Sequence, residues 1–154
     1  MKKNGLNKLL ALLLAMVMVL ALAACGNKAQ DNGGAGDDAN VVTDGTVADG
    51  ATVGKGATAF TVEVAQLDGT SITFTVNTDK ATVGEALLEL GIVAGDDTEY
   101  GLYVKTVNGV TLDYDTDGAY WAFYINGEYA MTGVDATNIE AGATYALKAE
   151  KAEG

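Results

Sequence analysis

The clearest alternation of apolar and polar positions runs through Tyr120 to Ala130. Trp121, Phe123 and Ile125 alternate with Ala122 and Tyr124, the period of two that sends successive side chains to opposite faces of a strand. Asn126-Gly127 follows. A type I′ turn needs positive φ at both central residues, so this stretch predicts strand, tight turn, strand. Phe60, Val62 and Val64, then Ile72, Phe74 and Val76, repeat the pattern on either side of Asp68-Gly69 and predict a hairpin with one apolar face. Between the two hairpins the period changes. Val83, Ala86, Leu87 and Leu90 fall at i, i+3, i+4, i+7, one stripe of a helix. Thr82-Val83-Gly84-Glu85 reads as its capping box, and Gly91-Ile92 as a Schellman ending.

The rest reads by the same signals. Asp96-Asp97-Thr98-Glu99 reads as polar loop, Tyr100 to Val107 as a strand, Asn108-Gly109 as a second I′ turn and Val110 to Tyr114 as a short partner strand. Asp115-Thr116-Asp117-Gly118 reads as a turn. Val134 to Ala143 reads as a loop with one helical turn, and Thr144 to Ala149 as a final strand. One short helix against five to seven strands must cover one face of a mixed sheet. The expected fold class is therefore α+β, a β-grasp-like roll.

The first part of the chain has a different pattern. Lys2, Lys3 and Lys8 precede an uninterrupted apolar run of 16 residues, Leu9 to Ala24, short of the roughly 20 needed to span a bilayer. It ends in Leu22-Ala23-Ala24-Cys25-Gly26. A basic region, an apolar core and small residues before a cleavage point predict a signal peptide over 1–24. Cys25 placed directly after it resembles the lipobox of bacterial lipoproteins. That resemblance implies cleavage before Cys25, lipid on the cysteine, and an exported protein held at the cell membrane and facing away from the cytoplasm. Residues 25–58 are rich in Gly, Ala, Asp and Asn and contain no aromatic residue. They read as an acidic, Gly-rich disordered tether, with a stray strand over Val41, Val42, Val47 and Val53 left open. The expected folded domain is 59–152.

Charge and composition narrow the function. With the three leader lysines removed from nine, six remain against 21 acidic residues, a net charge of −15, and there is no arginine. Neutralising phosphates requires Lys and Arg, so nucleic acid is not an expected partner. The absence of histidine removes the usual general base and the commonest zinc ligand, and no enzyme activity is expected. Asp113, Asp115 and Asp117, with Gly118 next, imitate the first half of a calcium loop. Position 12 is Tyr124 rather than the bidentate Glu such a loop needs, so an acidic turn is expected and no metal site is assigned. Tyr100, Tyr103, Tyr114, Tyr120, Tyr124 and Tyr129 fall within 30 residues. Tyrosine is enriched at recognition surfaces, so these residues are expected to converge on one sheet face or edge.

The hairpin Tyr120 to Ala130, then Gly133, then Ile139-Glu140-Ala141-Gly142-Ala143-Thr144-Tyr145, resembles bacterial domains of unknown function related to the C-terminal β domain of transcobalamin and intrinsic factor. The capped helix Thr82 to Leu87 fits the segment before it, and the resemblance covers about Ala59 to Lys151. It implies a β-grasp-like, non-enzymatic binding module on a surface lipoprotein. The implied ligand is cobalamin or a related corrinoid, for delivery to a membrane transporter, with Trp121, Phe123 and Tyr124 as contact residues. The alternative is a cell-surface adhesion or protein/glycan interaction module with no small ligand.

Overall fold

The computed structural model describes residues 42–154. The leader, Cys25 and residues 25–41 of the expected tether lie outside the described residues.

The elements in chain order are β1 (Thr52–Gly54), β2 (Thr58–Ala65), β3 (Ser71–Thr78), α1 (Val83–Glu89), β4 (Val93–Thr98), β5 (Gly101–Val107), β6 (Val110–Thr111), α2 (Tyr114–Asp117), β7 (Ala119–Ile125), β8 (Glu128–Tyr129), a 3₁₀ turn (Val134–Ala136) and β9 (Thr144–Lys151). Six strands form one sheet in the order β1-β3-β2-β9-β7-β8. It is mixed, because β1 runs parallel to β3 and β2 parallel to β9 while the other pairs are antiparallel. The described residues are therefore mostly β, with the short helix α1 on a mixed sheet and α2 a single turn, an α+β arrangement.

Local signals place most of these elements. Asn108-Gly109 and Asn126-Gly127 have φ of 48° and 80°, and 49° and 85°, the type I′ pattern. Thr82 caps α1, with its hydroxyl accepting from the Glu85 amide and the Glu85 carboxylate accepting from the Thr82 amide. At the other end Gly91 takes φ +70°. The Gly91 amide donates to Leu88 and the Ile92 amide to Leu87, which completes the Schellman motif. Gly84 in the first turn is explained by packing: a Cβ there would stand 2.7 Å from the Asp135 Cα and 2.8 Å from its amide nitrogen. The helix meets the 3₁₀ turn backbone to backbone, and no side chain fits between them.

Val83, Ala86 and Leu87 of α1 are buried in one core with Phe60, Val62 and Val64 of β2, Phe74 and Val76 of β3, Trp121 of β7, and Tyr145 and Leu147 of β9. Phe123 and Ile125 pack against its margin. The Trp/Phe/Ile face of β7 is thus the helix-facing side, as the alternation predicts.

Three expectations need correction. The tether does not extend to residue 58. Val47 and Val53 are buried in the core, β1 pairs with β3, and the Asn108 carboxamide brackets Val47, accepting from its amide at 2.6 Å and donating to its carbonyl at 3.3 Å. Two valines in a Gly- and Asp-rich stretch suffice because a parallel neighbour supplies the hydrogen bonds. Second, Asp96 to Thr98 are strand rather than loop. β4 pairs antiparallel with β5, and β6 completes a separate three-stranded sheet. Five of the six β4 residues are exposed, so pairing rather than burial makes this strand, and the polar Asp96-Asp97-Thr98 hides it in the sequence. Gly95 sits at its bulge, where a Cβ would stand 1.9 Å from the Tyr103 carbonyl oxygen. Third, the strand expected over Val110 to Tyr114 stops at Thr111, and a single helical turn follows over Tyr114–Asp117.

Candidate functional site: a tyrosine face around Glu150

With α1 on one side of the six-stranded sheet, the even-numbered residues of β7 and β9 point to the other. Register sets Tyr120 against Glu150, Ala122 against Lys148 and Tyr124 against Ala146. The two tyrosines flank the small Ala122 and converge on one carboxylate. Tyr120 donates to Glu150 at 3.2 Å, and the Tyr124 hydroxyl donates to its other oxygen. Two further rings extend the array. Tyr129 of β8 meets Tyr124 edge-on with centroids 5.5 Å apart, and Tyr114 of α2 tilts against Tyr120 at 6.4 Å. Lys148 stands 5.1 Å from the Tyr124 ring centroid and pairs with Glu63 of β2 at 3.5 Å. Tyr114 and Tyr129 are more than half exposed, at 53% and 58%, so the rings can be reached from solvent.

The electrostatics follow from that geometry. The Glu150 hydrogen bond, then burial, then the Glu150 charge push the Tyr124 hydroxyl up to about 12. Burial first and Glu150 second raise Tyr120 as well. Both phenols are neutral donors at neutral pH. A hydroxyl with a raised pKa binds its proton more tightly in the folded chain than in the unfolded chain. Its contribution is therefore complete below the ordinary value of 10 and is lost as pH rises toward 12. Alkaline titration of tyrosine absorbance should show a late phase near pH 12 that Glu150→Gln moves back toward the ordinary value. A wild-type curve with no late phase would remove the Tyr124–Glu150 interaction.

The structure divides the residues that the sequence grouped. Tyr124 is on this open face. Trp121 is 7% exposed on the opposite face, its indole N–H donating to the Lys105 carbonyl at 3.1 Å. Phe123 is on that opposite face too, half-buried, with its ring stacked on Tyr145 at 6.1 Å and 18°. Trp121, Phe123 and Tyr124 are therefore not one surface. The six tyrosines do not converge on one face either. Tyr114, Tyr120, Tyr124 and Tyr129 do, whereas Tyr100 and Tyr103 belong to the β4–β5 hairpin, with Tyr100 92% exposed at its turn. Lys148 and Glu150 are not grouped with the tyrosines in the sequence because Lys148 lies 26 residues from Ala122 and Glu150 lies 30 from Tyr120. The signal was present as the alternation Ala146, Lys148, Glu150, which matches Tyr124, Ala122, Tyr120 once β7 and β9 are paired.

The half calcium loop is internally occupied. One Asp113 oxygen accepts from the Asp115 and Thr116 amides at 2.9 and 3.1 Å, and Asp117 accepts from the Asp113 amide at 2.8 Å. Those amides, chiefly, and Lys105 hold the Asp113 carboxyl below its usual range. Lys105 bridges Asp96 at 2.8 Å and Asp113 at 3.6 Å, tying β4 to the α2 turn. Among the described residues no three His, Cys, Asp or Glu side chains are grouped to hold a metal ion.

The family described as "Domain of unknown function (DUF4430)" matches residues 80–150, the segment from α1 to Glu150. A crystal structure of a protein from Ruminococcus gnavus, described provisionally as metal binding, is 31% identical with a TM-score of 0.60. The match covers 63% of this chain and all of that one. A structure of haptocorrin in complex with Cbi aligns at 14% identity and a TM-score of 0.47, over 66% of this chain and 27% of that one. No curated protein matches. On the full-length match to the Ruminococcus protein and the match from α1 to β9, the chain belongs to the DUF4430 family of domains of unknown function.

Proposed function

We propose that this protein is a non-enzymatic binding module on a surface lipoprotein, anchored through lipid on Cys25, whose open tyrosine face captures cobalamin or a related corrinoid for delivery to a membrane transporter. The observation that carries the reading is the convergence of Tyr120 and Tyr124 on Glu150, walled by Tyr114 and Tyr129. Tyrosine offers rigid, amphipathic contact area. Neutral phenols beside a carboxylate suit a broad macrocycle rimmed with amides. The metal-binding label of the Ruminococcus relative adds a chemical argument. A corrin carries its metal already chelated, so such a ligand would ask for no metal-ligating side chains from this chain. We read the helix over a mixed sheet as β-grasp-like, consistent with the resemblance to the transcobalamin β domain.

The openness of the face supports the second reading, a protein or glycan contact. Small-ligand sites enclose most of their ligand, whereas Tyr114 and Tyr129 lie open to solvent. Titrating the full chain with cobalamin and cobinamide, followed by corrinoid absorbance, against a panel of soluble glycans separates the two. Saturable corrinoid binding supports the first reading. Glycan binding without it transfers the face to the second. The anchor has its own test, motivated by Leu22-Ala23-Ala24-Cys25. Cys25→Ser should leave the protein unprocessed and unlipidated. Unchanged processing and membrane recovery would end the lipoprotein reading.

A further inference from the structure

Glu150 has no cationic partner among the described residues. The ion pairs there join Lys80 to Glu89, Lys105 to Asp96 and Asp113, and Lys148 to Glu63. Two phenol hydroxyls donate to the Glu150 carboxylate. They orient it in a half-buried position, and no lysine ammonium among the described residues is within salt-bridge distance of it. Glu153 adds a second negative charge that reaches Tyr120. Around this charge stand four tyrosine rings, and the negative faces of aromatic rings attract cations. The array already shows the geometry once, with the Lys148 ammonium 5.1 Å from the Tyr124 centroid.

We propose that Glu150 and the rings of Tyr114, Tyr120, Tyr124 and Tyr129 form a recognition site for an organic ammonium cation carrying methyl groups in place of N–H donors. The inference rests on reading the tyrosine face as the ligand surface, and not on that ligand being a corrinoid. The chemistry selects this class for two reasons. The Tyr120 and Tyr124 hydroxyls are committed to Glu150 and the Lys148 ammonium to Glu63 and the Tyr124 ring, so what the face offers an incoming cation is ring surface and one carboxylate. A small hydrated metal ion would need more oxygen ligands than that. A methylated ammonium sheds water readily and gains from both ring face and charge. A phosphate attached to the cation would meet the Glu150 carboxylate, so the free cation is favoured over a phosphocholine headgroup.

The test uses the full chain in a maltoside detergent, with tyrosine ring signals followed by NMR. Choline, its neutral isostere 3,3-dimethylbutanol, and glycerophosphocholine are the probes. Saturable shifts of the Tyr124 and Tyr129 rings with choline, and roughly fivefold or greater weakening for the isostere, are expected. Glycerophosphocholine should be weaker than choline, and binding at least as tight would reassign the cation to a lipid headgroup while keeping the site. Glu150→Gln should weaken choline by a similar factor. If that variant fails to fold, Tyr129→Ala, which removes an exposed wall, should do so with melting unchanged. Absence of saturable shifts at these rings, or equal affinity for the isostere, overturns the proposal. Corrinoid binding that survives such a result would leave the functional reading standing without the cation site.

Discussion

A chain beginning at Ala57 should melt at least about 12 °C below one beginning at Gly26. The expectation comes from what residues 42–56 contribute. Val53 is fully buried and Val47 nearly so, and burying a valine side chain is worth about 1.5–3 kcal/mol. β1 also supplies the parallel partner of Thr75 to Asn77 on β3. The Asp49 carboxylate accepts from the Thr73 amide at 2.8 Å, and the Thr75 amide donates to Ala51 at 2.9 Å. The truncation thus removes about 3–6 kcal/mol of burial alone from a domain with about 5–15 in total. At roughly 4–8 °C per kcal/mol for a domain of this size, the shift follows. Equal melting temperatures would return residues 42–56 to the tether.

Tyr145→Ala should cost about 3–5 kcal/mol, the range for removing a buried aromatic ring. Tyr145 is 1% exposed at the centre of the core. Phe60 meets its ring edge-on at 5.4 Å, and Phe123 stacks on it at 6.1 Å. Its hydroxyl accepts from the Glu140 amide at 2.9 Å and donates to the Asn138 carbonyl at 3.2 Å. These bonds fix the loop before β9. Tyr145→Phe keeps the packing and strands the Glu140 amide, so it should cost less, about 1–3 kcal/mol. Chemical denaturation of both variants checks the order. A silent Tyr145→Ala would mean the core is not centred where the structure places it.

The parts of the fold legible in the sequence are those with local causes. Asn-Gly turns, the Thr82–Glu85 cap and the Gly91 ending are set by residues within a few positions of one another. The strands that the sequence hinted at weakly or read as loop, β1 and β4, are made by partners elsewhere in the chain. β1 is three residues in a Gly-rich stretch and exists because β3 lies beside it. β4 is exposed throughout after Val93 and exists because β5 does. The same distinction governs the site. Alternation correctly separates Trp121 and Phe123 from Tyr124. The family resemblance then joined the three as contacts, although opposite faces of a strand cannot form one surface. Tyr124 was legible as an outward residue. Its meaning depended on Glu150, which only the β7–β9 register brings near it. Tyr145 lay outside the six clustered tyrosines and proved to be core.

If the open tyrosine face binds the ligand and the helix-facing side only supports the fold, Tyr124 separates binding from stability. Corrinoid titration of the full chain and of Tyr124→Ala, each paired with a melting curve, tests it most directly. Tyr124 is half-buried on the outer face, so the variant should melt within a few degrees of wild type and bind corrinoid roughly tenfold or more weakly. Wild-type affinity in the folded Tyr124→Ala variant would contradict it.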